Sequence, residues 1–162
     1  MNKRPPSLPK TMAVDASIVV KWYKKGEEHE QQALRIREEI LTAKLHAIAP
    51  EWIFLELVRA LVKIDFPKEK IEQAYESLRE AASLGLMDIV PMSRSLDKAK
   101  EIEIQLKLFA SDAAYLATAI THRTDLITED RHLLNKRVLN YAKEEGIRIL
   151  ALERSTETWH WH

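Results

Sequence analysis

Residues 111–130 read "SDAAYLATAITHRTDLITED". Within them, Ala113, Leu116, Ala117 and Ile120 recur at helical spacing, with Asp112 in the first turn of the helix they predict. The following "DLIT", residues 125–128, is short, apolar and strand-like, and Asp130 stands just past its end. A strand this short and this apolar suits a parallel sheet covered on both faces. The segment therefore predicts an α/β fold, with one acid at a helix start and another at a strand end.

The flanking sequence repeats the alternation. "MAVDA" (12–16), "LHAIAP" (45–50) and "LMDIV" (86–90) are strand candidates, and "IRIL" (147–150) is a last one after Gly146. Between them, helices are predicted from Ser17 toward Tyr23 and over Glu28–Lys44, with Ala33, Ile36, Ile40 and Leu41 on one face. Another covers Glu51–Ile64, and a further one opens at Pro67 and stops before Gly85, with Ile71, Tyr75, Leu78 and Ala82 as its stripe. Ser95 caps a helix to about Leu108, and Arg131–Lys143 is helical in parts. Strands alternating with helices predict a three-layer arrangement, a parallel sheet of about five strands flanked by helices. The expected organisation is an arm over residues 1–11, one domain over 12–151 and a tail over 152–162. The arm carries three prolines, and the tail ends "STETWHWH".

The 162 residues carry 25 Lys and Arg against 25 Asp and Glu, so broad electrostatic attraction to nucleic acid or anionic membranes is not expected. There is no cysteine, which excludes a disulfide framework and thiolate metal sites. No apolar run approaches the roughly 20 residues of a membrane span. A cytoplasmic protein is the expectation. Only three glycines are present, and none closely follows the first strand, so a dinucleotide-binding glycine loop is excluded.

Four acids stand out. Asp15 ends the first strand and Asp130 follows the fourth; if those strands are neighbours, the two meet where the strand order reverses, the usual ligand crevice of such sheets. Glu56 borders the apolar stripe Ile53, Leu57, Ala60 and Leu61, so its carboxylate needs a cation, a hydrogen bond or a proton. Asp112 sits where helix N–H groups favour negative charge. Taken singly, each acid reads as a helix cap, a dipole partner or a solvated ion pair, such as Glu56 with Arg59 or Lys63. Taken together, clustered carboxylates repel unless a cation shares the site. An all-oxygen set suits Mg²⁺ or Mn²⁺, ions that serve phosphoryl chemistry.

"VDAS", "PEWIFLELVRAL", "SDAAYLATA" and "LITED" occur in that order and resemble the motifs of PIN-domain ribonucleases, in particular VapC-like toxins of toxin–antitoxin pairs. The resemblance runs from about Met12 to Leu150. It implies that Asp15, Glu56, Asp112 and Asp130 hold one or two Mg²⁺ or Mn²⁺ ions, with Ser17 and Thr128 orienting ligands. It implies hydrolysis of RNA by an activated water, a homodimer and a small inhibitory antitoxin. Members commonly carry Asn where Arg59 stands, which leaves Arg59 to pair with an acid, contact RNA phosphate or face a partner. Arg131 is a candidate phosphate contact.

Other readings remain beside this one. A housekeeping RNA-processing nuclease and a catalytically silent PIN-like binding protein share the same motifs. A haloacid-dehalogenase-like phosphatase requires an Asp at the position of Ser17 and is set aside. Lys21, Lys24 and Lys25 read as a solvated face or a local phosphate edge. His122 and His132 read as surface residues, with His132 a modest candidate for RNA contact. Trp52, Phe54, Val58 and Val62 give the Glu51–Ile64 helix a second apolar row, covered either by the domain itself or by another chain.

Overall fold

The computed structural model describes residues 9–152. Five parallel strands form one sheet in the order β3-β2-β1-β4-β5: β1 Lys10–Val14, β2 Leu45–Pro50, β3 Met87–Val90, β4 Leu126–Ile127 and β5 Ile149–Leu150. Seven helices flank it: α1 Ala16–Val20, α2 Glu30–Leu41, α3 Ile53–Lys63, α4 Lys68–Ser83, α5 Leu96–Leu106, α6 Ala110–Thr121 and α7 Lys136–Glu144. The strand order reverses between β1 and β4, which pair through Ala13 with Leu126 and Val14 with Ile127. The neighbour relation on which the meeting of Asp15 and Asp130 depended is therefore present.

The core follows from the apolar runs. Met12, Ala13 and Val14 are buried, as are Ala47, Ile48 and Ala49 of β2 and Leu126 and Ile127 of β4. A strand buried on both faces has no polar alternation, which is why these stretches read as continuous hydrophobic runs. Helix α6 packs on β1 and β2, and its Ala113, Ala114, Ala117 and Ala119 are fully buried. Small side chains there let the helix approach the sheet closely, bringing Asp112 down to the strand ends.

Several boundaries differ from the expectation. β1 begins at Lys10, so the last two residues assigned to the arm belong to the sheet; residues 1–8 and 153–162 lie outside the described residues. Helix α1 ends at Val20 rather than Tyr23 and runs into a turn. Ser95 precedes α5, but its side chain forms no cap hydrogen bond; a 3₁₀ turn at Met92–Arg94 leads into the helix instead. Gly85 takes φ +75° after α4, the left-handed conformation that lets the chain turn back into β3. Among the described residues, no helix is long and apolar enough to cross a membrane.

Candidate metal centre at the strand-order reversal

Asp15 leaves the end of β1 as the N-cap of α1. It is buried, and its Oδ2 accepts hydrogen bonds from the Ser17 hydroxyl at 2.6 Å and the Thr128 hydroxyl at 2.8 Å. The same hydroxyls tie down the loop after β4: Glu129 N donates to Ser17 Oγ at 2.9 Å, and Asp130 N to Thr128 Oγ1 at 3.0 Å. Ser17 and Thr128 thus join the ends of the two central strands. Asp130 Oδ1 accepts from His132 N at 2.7 Å, starting the turn before α7. The capping reading of Asp15 and the site reading are compatible, because a cap uses only part of the carboxylate's capacity.

Asp112 is buried in the first turn of α6. Carboxylate oxygens of Asp112 and Asp130 and a ring nitrogen of His132 lie within 4.8 Å of one another. His132 Nδ1 is 3.1 Å from Asp130 Oδ1 and 4.0 Å from Asp112 Oδ2. Asp15 and Glu56 stand outside this compact group but within electrostatic reach of it. Burial pushes the Asp112 carboxyl up to about 7, with Asp130 and Asp15 adding to the rise and His132 opposing it. Burial likewise raises Asp15, opposed by the Ser17 and Thr128 hydroxyls and reinforced by Asp130.

Glu56 is the most perturbed of the carboxyls whose value is resolved. Burial, then Asp15 and Asp112, push it up to about 8. Its Oε1 is buried with no hydrogen-bond partner, and the fully buried Tyr115 hydroxyl is in the same condition. The hydroxyl nonetheless lies close enough to oppose part of the rise at Glu56. No ion pair joins Glu56 to Arg59 or Lys63 among the described residues, so the solvated-pair reading of Glu56 is not realised.

These features test whether a divalent cation fits. The carboxylate donors are oxygens at a largely buried crevice, one of those oxygens is orphaned, and Asp15, Glu56 and Asp112 are held toward their neutral forms by burial first and by neighbouring carboxylates second. A cation offsets both, since its charge favours the ionised carboxylates. The residue set fits a hard divalent ion.

The remaining residues separate. Arg131 is exposed beside Asp130 and Arg59 is exposed on α3; neither has an ion-pair partner among the described residues. Lys21 is buried, its Nζ donating to the Glu28 carbonyl at 2.7 Å, and Lys24 pairs with Glu27. Those lysines stitch the α1–α2 loop and offer little to a phosphate. Two contributors were not placed among the acids by the sequence reading, which took His132 as a surface residue and modest candidate for RNA contact and did not single out Tyr115. His132 joins Asp112 and Asp130 because the turn at Asp130 folds it back, and Tyr115 sits one helical turn after Asp112. The spacing of each was visible; its convergence was not.

Fold and site together define an α/β domain with an acidic crevice at the carboxyl ends of its central parallel strands. The chain belongs to the PIN domain family, whose model matches residues 12–139. The motif resemblance is thus borne out at the level of the family. No curated protein sequence matches significantly. Solved structures similar to this chain include a toxin–antitoxin complex from Klebsiella pneumoniae, at 18% identity and TM-score 0.58 over 88% of this chain and 98% of that one. VapBC2 from Rickettsia felis, bound to a DNA fragment of its promoter, is 17% identical with TM-score 0.57 over 87% and 98%. PAE2754 from Pyrobaculum aerophilum is 21% identical with TM-score 0.52 over 87% and 98%. At these identities the likeness concerns the fold.

Proposed function

We propose that this protein is an endoribonuclease dependent on Mg²⁺ or Mn²⁺, acting as a VapC-like toxin restrained by a small antitoxin. The observation that carries the reading is the convergence of Asp15, Glu56, Asp112 and Asp130, with Glu56 Oε1 buried and unpartnered. Membership of the PIN family supports nuclease chemistry. Similarity to chains of toxin–antitoxin complexes supports the toxin and its protein partner. The exposed Trp52, Leu55 and Val62 on α3 support a homodimer or an antitoxin contact.

In this reading Asp112 and Asp130 hold the ion, with Asp15 and Glu56 beside it and His132 at its rim. When bound, a divalent cation stabilises charge on the phosphodiester and makes water a stronger nucleophile. Ser17 and Thr128 fix the Asp15 carboxylate so that it does not reorganise during the reaction. Glu56, raised to about 8 in the metal-free protein, would be ionised by the charge of a bound cation, and its Oε1, free of other bonds, would then accept the proton released by the attacking water. Arg131 meets a substrate phosphate. Arg59 lies four residues after Leu55 and three before Val62, on the exposed row of α3, and faces the partner.

The test is cleavage of a labelled mixed RNA pool with Mg²⁺ or Mn²⁺ and with chelator. Wild type should cut only with metal, and Asp112→Asn should fold normally but cut slower by on the order of 100-fold or more. Equal cutting by the two proteins would remove Asp112 from the site. Absence of cutting by wild type, with or without a co-purified partner removed, would favour the silent binding protein.

A further inference from the structure

Phe109 occupies the N-cap position of α6, three residues before Asp112, and is 68% exposed. A large aromatic ring left in water at the mouth of an acidic crevice contributes nothing to the core. Its neighbour is specific: the Phe109 ring meets the His132 ring edge-on, with centroids 5.4 Å apart and planes at 89°. His132 in turn touches Asp130 and approaches Asp112. The aromatic pair is therefore one side chain away from the carboxylates. Lys107 and Arg131, each within two residues of one of the rings, are exposed and have no ion-pair partner among the described residues.

An exposed ring beside unpaired cations is the combination that single-stranded nucleic acid uses: the ring takes a base face, and the cations take the backbone. A duplex offers no base face to such a ring, because its bases are stacked on one another. We infer that Phe109, braced edge-on by His132, is a stacking shelf for the nucleobase next to the scissile phosphate. The inference rests on the nuclease reading above and adds to it a residue that holds the substrate by a base. Bracing matters because a free phenylalanine would lose rotamer freedom on stacking, whereas a ring already held loses less.

The experiment uses a single-stranded RNA decamer carrying 2-aminopurine, whose emission reports stacking directly. Binding is measured by titration in the Asp112→Asn background, so that the decamer stays whole. Phe109→Leu keeps an apolar side chain of similar bulk but offers no flat face; Phe109→Trp restores one. The expected result is emission quenched on binding to the Phe109 and Trp forms. The Leu form should bind weaker by about 10-fold and leave the emission unchanged. Equal affinity and equal quenching with Leu would overturn the shelf while leaving the nuclease reading intact. A change of oligomeric mass on Phe109→Leu, without loss of RNA affinity, would also overturn it and assign the ring to a protein interface. If no form binds the decamer the shelf is wrong, and if the unsubstituted chain also cuts no RNA, the nuclease reading falls with it.

Discussion

Glu56 carries its burden alone: a carboxyl at the border of an apolar stripe, repelled by Asp15 and Asp112, with one oxygen bonded to nothing. A carboxyl whose folded pKa is raised is neutral in both folded and unfolded chains at low pH, so it costs nothing there. Above its ordinary value of 4.5 the unfolded chain releases the proton while the folded chain retains it, until about 8. The folded state then binds more protons, and stability must fall as pH rises through that window. Asp112 acts in the same direction between 3.8 and about 7. Partial solvent contact at Glu56 damps the effect. The melting temperature of the metal-free protein should drop by ~5 °C between about pH 5 and about pH 8. Glu56→Gln should flatten that slope, and Mn²⁺ should raise the melting temperature more at the alkaline end, where the ligands ionise readily. A melting temperature flat in pH for metal-free wild type would mean that these acids are not strained. Much of this was legible in the sequence, since an acid beside Ile53, Leu57 and Leu61 must find some partner. Tyr115 and His132 were not legible, because their relevance depends on how the chain returns to the site.

At the scale of elements, α6 and β4 matter most. Sequence pattern located both, because Asp112 to Ile120 has a helical stripe and "DLIT" a strand-like run. It extended β4 too far, since only Leu126 and Ile127 satisfy the pairing with β1 and β5. Helix α6 also buries more than its stripe: Ala113 through Ala119 are all buried, because strands and α5 cover it on several sides. Alanines at those positions read as good helix formers, and nothing in their spacing announced that their small size sets the distance to the sheet. Ala117→Leu should therefore destabilise the protein by ~1–3 kcal/mol in urea denaturation. A neutral outcome would show that α6 can move off the sheet freely. Helix α1 misled for a related reason: Lys21 looked like a surface charge, but its ammonium reaches the Glu28 carbonyl and closes the loop.

For the molecule as a whole, the exposed row of α3 is one apolar surface that the described residues leave uncovered. The second apolar row expected there divides in two. Phe54 packs edge-on against Tyr75 of α4, ring centroids 5.7 Å apart, whereas Trp52 and Val62 remain 42% and 50% exposed, and Leu55, outside the expected row, is 65% exposed beside them. Burial within the domain therefore accounts for part of the row, and the association proposed above would cover the rest. If α3 forms the proposed dimer contact, Leu55→Lys should halve the mass seen in light scattering without lowering the melting temperature. An unchanged mass would move the proposed contact off α3. Nothing in the sequence distinguished the two halves, because both have the same composition and period; only the position of α4 separates them.

The four acids come from positions 15, 56, 112 and 130, and the hydroxyl pair that holds Asp15 comes from positions 17 and 128. β4 inserts between β1 and β5, so the strand that completes β1 follows it in the chain only after β2 and β3. A nascent polypeptide halted before Leu126 contains three of the acids, but Asp15 lacks Thr128 and the fourth carboxylate does not yet exist. On the nuclease reading proposed above, the site is therefore a property of the closed sheet and of no piece that stops short of β4.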